Sequence, residues 1–237
     1  MAVSMNILGV DLAWGEKKGD GICLLEVTDT SATARILDYT HGDRELESSV
    51  ALYLHEGPGL ILVDAPLVCP NPTGSRPVDK LISSMFWRQH AGCHPANSTK
   101  CQRPVRIAKK LTARGFALGW DLQKSDRLLV EVYPHPAIVR LFNLDRIVKY
   151  KKGKVADKRR EFKRLQKLIR ECLHTRFPLL VVDREIDLLL KSDWSKQVED
   201  RTDAFLCALI GYNHMLHGGA ESELVGCLET GFILLPK

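Results

Sequence analysis

"VEDRTDAFLCALIGY", residues 198–212, is an apolar stretch with acids gathered at its start. Phe205, Leu206, Leu209, Ile210 and Tyr212 are apolar, and Ala204, Cys207, Ala208 and Gly211 are small. That composition suits a helix lying close against a neighbouring layer. Asp200 and Asp203 stand three residues apart, which puts both on one face of such a helix. Two like charges there repel unless a cation lies between them. One reading makes Asp200 the N-cap, with Asp203 completing a weak capping box. The other makes the pair part of a metal site, and the rest of the chain decides the weight of each.

Working outward, "MNILGVDLAW" (5–14) and "GLILVDAPL" (59–67) are apolar runs of strand length that end in Asp11 and Asp64. "DRLLVEVYP" (126–134) is a third, reaching Glu131. "GDGICLLEVTD" (19–29) and "ATARILDYTH" (32–41) also read as strands, and their short links favour antiparallel hairpins. Helical spacing marks 43–56, 104–117 and 157–173, with shorter pieces near 77–89, from "HPAIVRLFNL" onward, and at 184–197. "GFILLP" (231–236) is a final strand or an extended tail. Three hairpin strands followed by strand–helix alternation imply an α/β fold: a mixed sheet of five or more strands with helices on both faces. The expectation is one domain over 1–237, with a loop-rich insertion at about 68–104.

Composition narrows the function. With 45% apolar and 27% charged residues, 237 residues can bury a sizeable core. No apolar run reaches the length of a membrane span, so no membrane partner is expected. The N-terminus lacks the basic start of a secretory signal, which makes the cytoplasm the default location and reduced thiols the expected state of the seven cysteines. The net charge of +5 is uneven: Lys149 to Arg170 holds eleven Lys or Arg against Asp157 and Glu161. Such a segment attracts polyanions, or is a solvated helix face.

Asp11, Asp64 and Glu131 each sit where an apolar strand ends, the position at which ligands collect in sheets of this kind. Converging carboxylates repel and raise one another's pKa unless a cation joins them. Oxygen ligands of this type suit Mg²⁺ or Mn²⁺, and Asp200 and Asp203 would complete the ring.

These features together resemble the RNase H-like superfamily. Closer still is a family described as RNase H-like nucleases, similar to the Holliday-junction resolvase branch. The resemblance rests on Gly9-Val10-Asp11, Asp64-Ala65-Pro66, Arg76-Pro77-Val78-Asp79, Glu131-Val132-Tyr133-Pro134 and Asp200 to Ala204, in that order. It implies hydrolysis of nucleic-acid phosphodiester bonds with two Mg²⁺ or Mn²⁺ ions. By that resemblance Asp11 bridges the ions, Asp64, Glu131 and Asp203 are further ligands, and Asp200 is an alternate acid. Lys151, Lys152, Arg76 and Arg103, with the basic helix, would meet the nucleic-acid backbone. DNA and RNA stay undistinguished, and a homodimer stays open.

His90, Cys93, His94 and Cys101, with Cys69 upstream, invite a zinc reading, but their spacing matches no standard site. A loop with a free thiol is the simpler expectation. His135 could act on a phosphate or pack at a strand end, and Trp14 and Tyr133 could stack a base or line a rim. Two other functions remain open. One is a silent nucleic-acid-binding module. The other is a phosphate- or nucleotide-binding protein of the actin or sugar-kinase type, suggested by "GVDLAWGEKKGDG" (9–21).

Overall fold

A computed structural model describes residues 5–237. Strands β1 (Met5–Asp11), β2 (Gly19–Val27), β3 (Ala32–Ile36) and β4 (Thr40–His41) precede α1 (Gly42–Tyr53) and β5 (Gly59–Val63). Then come α2 (Pro77–Met85), α3 (Gln102–Thr112), β6 (Ala117–Leu118), β7 (Arg127–Glu131) and α4 (Pro134–Leu141). The chain continues through α5 (Val155–Arg176), β8 (Leu180–Val182), α6 (Arg184–Leu189) and α7 (Lys196–Leu216), and ends in β9 (Ser222–Cys227) and β10 (Gly231–Pro236).

The main sheet is mixed, as the strand pattern implies. Its order is β6-β7-β5-β1-β2-β3-β8, with β4 also paired to β2. β1 runs antiparallel to β2 and parallel to β5, and β5 runs parallel to β7. The central strands are buried on both faces, which explains their near-continuous apolar runs. Alternation sends Ile7, Leu60, Leu62 and Val130 into the core under α7, α5 and α4. Leu8, Val10, Ile61 and Val63 join Leu46 and Val50 of α1 and Ile107 and Leu111 of α3 in a second core on the other face.

α7 crosses the sheet at unusually close range. A Cβ on Gly9 would overlap the Ala204 carbonyl and the Ala208 amide, and one on Gly21 would overlap the Asp200 carbonyl. Gly9 and Gly21 therefore let the backbone of α7 lie directly on β1 and β2. Because Asp11 pairs in register with Gly21, its side chain emerges on this same face, beside Asp200.

The opening helix also begins earlier than its acids suggest. Ser195 is the N-cap of α7, its side chain accepting from the Val198 amide at 3.2 Å. Asp200 and Asp203 lie in the helix interior, so the capping-box reading is overturned. α5 buries Phe162, Leu165, Ile169 and Cys172, the face that its periodicity predicts. The region 68–104 is less loop-like than expected: it holds α2 and the start of α3 and buries Arg76, Asp79, Asn97 and Cys101. "GFILLP" is a strand, paired antiparallel to β9. Among the described residues no helix is long and apolar enough to cross a membrane.

Candidate functional site

Four of the five acids expected at the site come together. Asp11 ends β1, Asp64 follows β5 with its amide donating to the Val10 carbonyl at 2.9 Å, and Asp200 and Asp203 come from α7. At their centre is Lys151, whose Nζ lies 2.7 Å from Asp203 Oδ2 and 3.8 Å from Asp64 Oδ2. Tyr150 donates its hydroxyl to Asp203 Oδ1 at 2.6 Å. Asp203 is fully buried, and its Oδ2 makes no hydrogen bond, meeting only the Lys151 ammonium. Asp200 is satisfied separately: Lys196 Nζ is 2.6 Å from Oδ1, and the Tyr39 hydroxyl donates to Oδ2 at 2.7 Å.

The electrostatics follow from crowding. Burial raises the pKa of Asp11 well above the usual carboxylate range, and the charges of Asp203, Asp64 and Asp200 add to it against the pull of Lys151. Burial likewise pushes Asp64 up to about 7, opposed by Lys151 and reinforced by Asp203 and Glu131. Burial alone would lower the pKa of Lys151, but Asp203, Tyr150, Asp64 and Asp11 outweigh it and keep the ammonium charged.

Asp11, Asp64 and Asp200 line a cleft of about 830 Å³, and Asp203 lies fully buried behind Lys151. Its rim carries Lys17 and Lys18 from the β1–β2 turn, together with Lys152 and Lys196. Trp14, Tyr133, His94 and His135 line it as well. His135 Nδ1 is 3.2 Å from the Tyr133 hydroxyl, and its ring meets Tyr150 edge-on. Burial, then Lys151 and Lys152, hold its pKa well below the usual histidine value, so the ring is neutral. A second concavity, about 530 Å³ between α1 and α3, is lined by Asp43 and Glu47, which pair with Lys110 and Arg114, and leaves no acid unpartnered.

Several expected site residues have other work. Glu131 lines a small recess beside Asp64 and is held by Arg76 rather than by Lys151. It shares the sheet face of its register partner Val63, opposite to α7. Arg76 grips it bidentately, Nη1–Oε2 at 2.9 Å and Nη2–Oε1 at 2.6 Å, and the Leu67 amide donates to Oε2 at 2.8 Å. Arg76 also holds Asp79, Nη2–Oδ1 at 2.7 Å. The Arg-x-x-Asp and Glu-Val-Tyr-Pro segments therefore form one buried ion triad that ties α2 to β7.

Arg76 is only 1% exposed and Arg103 only 2%, so neither is a surface contact for a nucleic acid. Arg103 donates to both oxygens of the buried Asp20, at 2.8 and 2.6 Å, and to the Ala13 carbonyl at 2.7 Å, bracing the turn that walls the cleft. Lys151 is an internal counter-ion rather than a free surface charge. Lys152 is exposed on the rim. Much of the basic helix is also engaged: Lys163 pairs with Asp193, Arg164 with Glu161 and Lys167 with Glu171.

His90, Cys93, His94 and Cys101 do not assemble. Cys101 packs with Cys69 and Ala96, whereas His94 lines the cleft. The sequence pattern did not single out Tyr39, Tyr150 or Lys196, because a lone Tyr or Lys carries no spacing signal. It also passed over Asp20, and Asp79 entered only as part of the Arg76-Pro77-Val78-Asp79 segment.

Among the described residues no three His, Cys, Asp or Glu side chains stand ready to hold a metal ion as they are. The ammonium of Lys151 stands between Asp203 and Asp64, at 2.7 and 3.8 Å. The donor chemistry itself fits a hard cation. Among the described residues Asp11 finds no side-chain hydrogen bond or ion pair, and Asp64 and Asp203 Oδ2 meet only Lys151.

Residues 9–225 match the family described as "Protein of unknown function (DUF429)". The chain belongs to that family. The match takes in Asp11, Asp64, Asp200, Asp203 and Lys151, so every residue of the cluster lies within the family's span. No curated protein and no solved structure matches the chain.

Proposed function

We propose that the protein is a divalent-cation-dependent nuclease that hydrolyses phosphodiester bonds at the floor of this cleft. One observation carries the reading: Asp64 and Asp203 meet a single ammonium, with Asp11 close enough to feel the charges of all three, beside a rim of lysines. Carboxylates in this number are poor partners for one another and good ligands for Mg²⁺ or Mn²⁺. The rim suits the polyanion that such an ion would act on. The RNase H-like resemblance supports the same chemistry, since three of its five segments supply the acids that meet.

Asp11, Asp64 and Asp203 would hold the ion, which when bound activates water and polarises a phosphoryl oxygen. The protein's other groups are positioned to help. Asp200, anchored by Tyr39 and Lys196, fixes the start of α7 against β2. Lys17, Lys18 and Lys152 draw the phosphate backbone to the rim. Neutral His135 engages Tyr133 through Nδ1, leaving Nε2 free to hydrogen-bond a ligand at the cleft wall.

The test is cleavage of single- and double-stranded DNA, RNA, RNA–DNA hybrid and a four-way junction, with Mg²⁺ or Mn²⁺. The wild type should cut at least one of them, and Asp203→Asn should lower the rate by about 100-fold or more. Ion binding by the wild type without cleavage of any polymer would point instead to a silent binding module or a small phosphate ligand.

A further inference from the structure

We propose that Lys151 takes the place of one of the two cations of a two-ion phosphodiesterase centre, so that this site accepts a single divalent ion. The inference rests on the nuclease reading above and deepens it.

Position is the first argument. Two-ion centres hold their ions about 3.5–4 Å apart, each between shared carboxylates. Lys151 Nζ already lies between two of the three available carboxylates, at 2.7 Å from Asp203 and 3.8 Å from Asp64. It is the one partner of Asp203 Oδ2, a fully buried oxygen.

The second argument is charge. Asp200 is held by Lys196, at 2.6 Å, which also pairs with Glu199 at 2.8 Å, and by the Tyr39 hydroxyl. Asp11, Asp64 and Asp203 therefore share the one ammonium of Lys151. In the deprotonated form that binds an ion, three carboxylates against one ammonium leave two negative charges, the charge that one divalent ion offsets. A second ion would leave the pocket with two surplus positive charges beside an ammonium, where like charges are weakly screened.

Anchoring is the third. Lys151 is not a loose surface lysine that swings aside at no cost. Its side chain is 24% exposed, and its ammonium lies 5.7 Å from the centroid of the Tyr150 ring. Tyr150 is itself fully buried and pinned by its hydrogen bond to Asp203 and by the rings of His135 and Phe162. Removing the ammonium from the centre would strand Asp203 Oδ2, a costly exchange in a buried site.

The experiment counts bound Mn²⁺ per chain by equilibrium dialysis and elemental analysis, on wild type, Lys151→Met and Lys151→Arg. Met keeps the length and apolar stem of the side chain without its charge, whereas Arg keeps the charge. One ion in the wild type and in Lys151→Arg, with two in Lys151→Met, is the expected result. Two ions in the wild type would overturn the inference while leaving the nuclease reading intact, and that count stands even if Lys151→Met fails to fold. One ion in a folded Lys151→Met would overturn it too, since the ammonium would then not be what bars the second. No ion bound by any of the three proteins would defeat the divalent-cation reading itself.

Discussion

Asp64 shows how much one side chain can report about the site. Its carboxyl is pushed up to about 7 by burial and by the charges around it, against about 3.9 in an unfolded chain. The folded state therefore binds a proton that the unfolded state has released. With more protons on the native side, stability falls as pH rises between about 4 and 7. The ion-free protein should accordingly melt a few degrees lower at pH 8 than at pH 5, taking about 2–4 °C per kcal/mol in a chain of this size. Asp64→Asn should flatten that slope. A wild-type melting temperature that is level or rising over the same range would contradict the crowding described here. Glu131 behaves differently because Arg76, not the cleft, claims it. Glu131→Ala leaves a buried guanidinium half-paired, and breaking such a pair costs about 3–5 kcal/mol. Denaturant unfolding should show that loss, whereas Glu131→Gln, if folded, should keep its affinity for Mn²⁺. A Glu131→Gln protein of unchanged stability that no longer binds Mn²⁺ would return Glu131 to the site.

Among the elements, α7 and β1 decide whether the acids meet. Gly9→Ala places a methyl group into the helix backbone at Ala204 and Ala208, where no side chain can turn aside. Overpacking of this kind costs about 1–3 kcal/mol and moves the backbone. The variant should therefore melt lower and also bind Mn²⁺ more weakly, because Asp203 moves away from Asp11. A variant as stable as wild type would mean that α7 does not lie as close as described. The basic helix α5 is a contrasting case. Its composition advertises a nucleic-acid surface, but several of its charges pair along the helix or with the loop at 191–193. The exposed lysines at the cleft are on the β1–β2 turn and beside Tyr150. Replacing Lys17 and Lys18 with Ala should flatten the dependence of log K on log salt by about 0.7–0.9 for each phosphate that is no longer neutralised. Arg164→Ala should leave that slope unchanged, and the reverse pattern would move the binding face to α5.

Across the whole molecule, what the sequence made legible were features repeated over many residues. The apolar runs ending at Asp11 and Asp64, the hairpin after β1 and the long period of α5 all appear as read. Very short strands did not register: β6 has two residues and β8 three, too few for any alternation, and sheet position alone makes them strands. The four aspartates were legible because each closes or opens an apolar element. The partners that complete them were not. Lys151 looked like part of a charge run, and only the fold carries it from the segment before α5 into the acid cluster. Arg76, Arg103 and Glu131 misled for a related reason: a charged residue in sequence looks exposed until a buried partner of opposite sign is known.

On the proposed function, Asp11, Asp64 and Asp203 form the seat of a divalent cation. The most direct measurement is anomalous diffraction from a crystal of the protein soaked in Mn²⁺. A strong anomalous peak is expected at the base of the cleft, with oxygens of Asp11, Asp64 and Asp203 at bonding distance, and its loss in Asp11→Asn. Crystals that show no peak there, or show one only at peripheral acids such as Asp43 and Glu47, would contradict it.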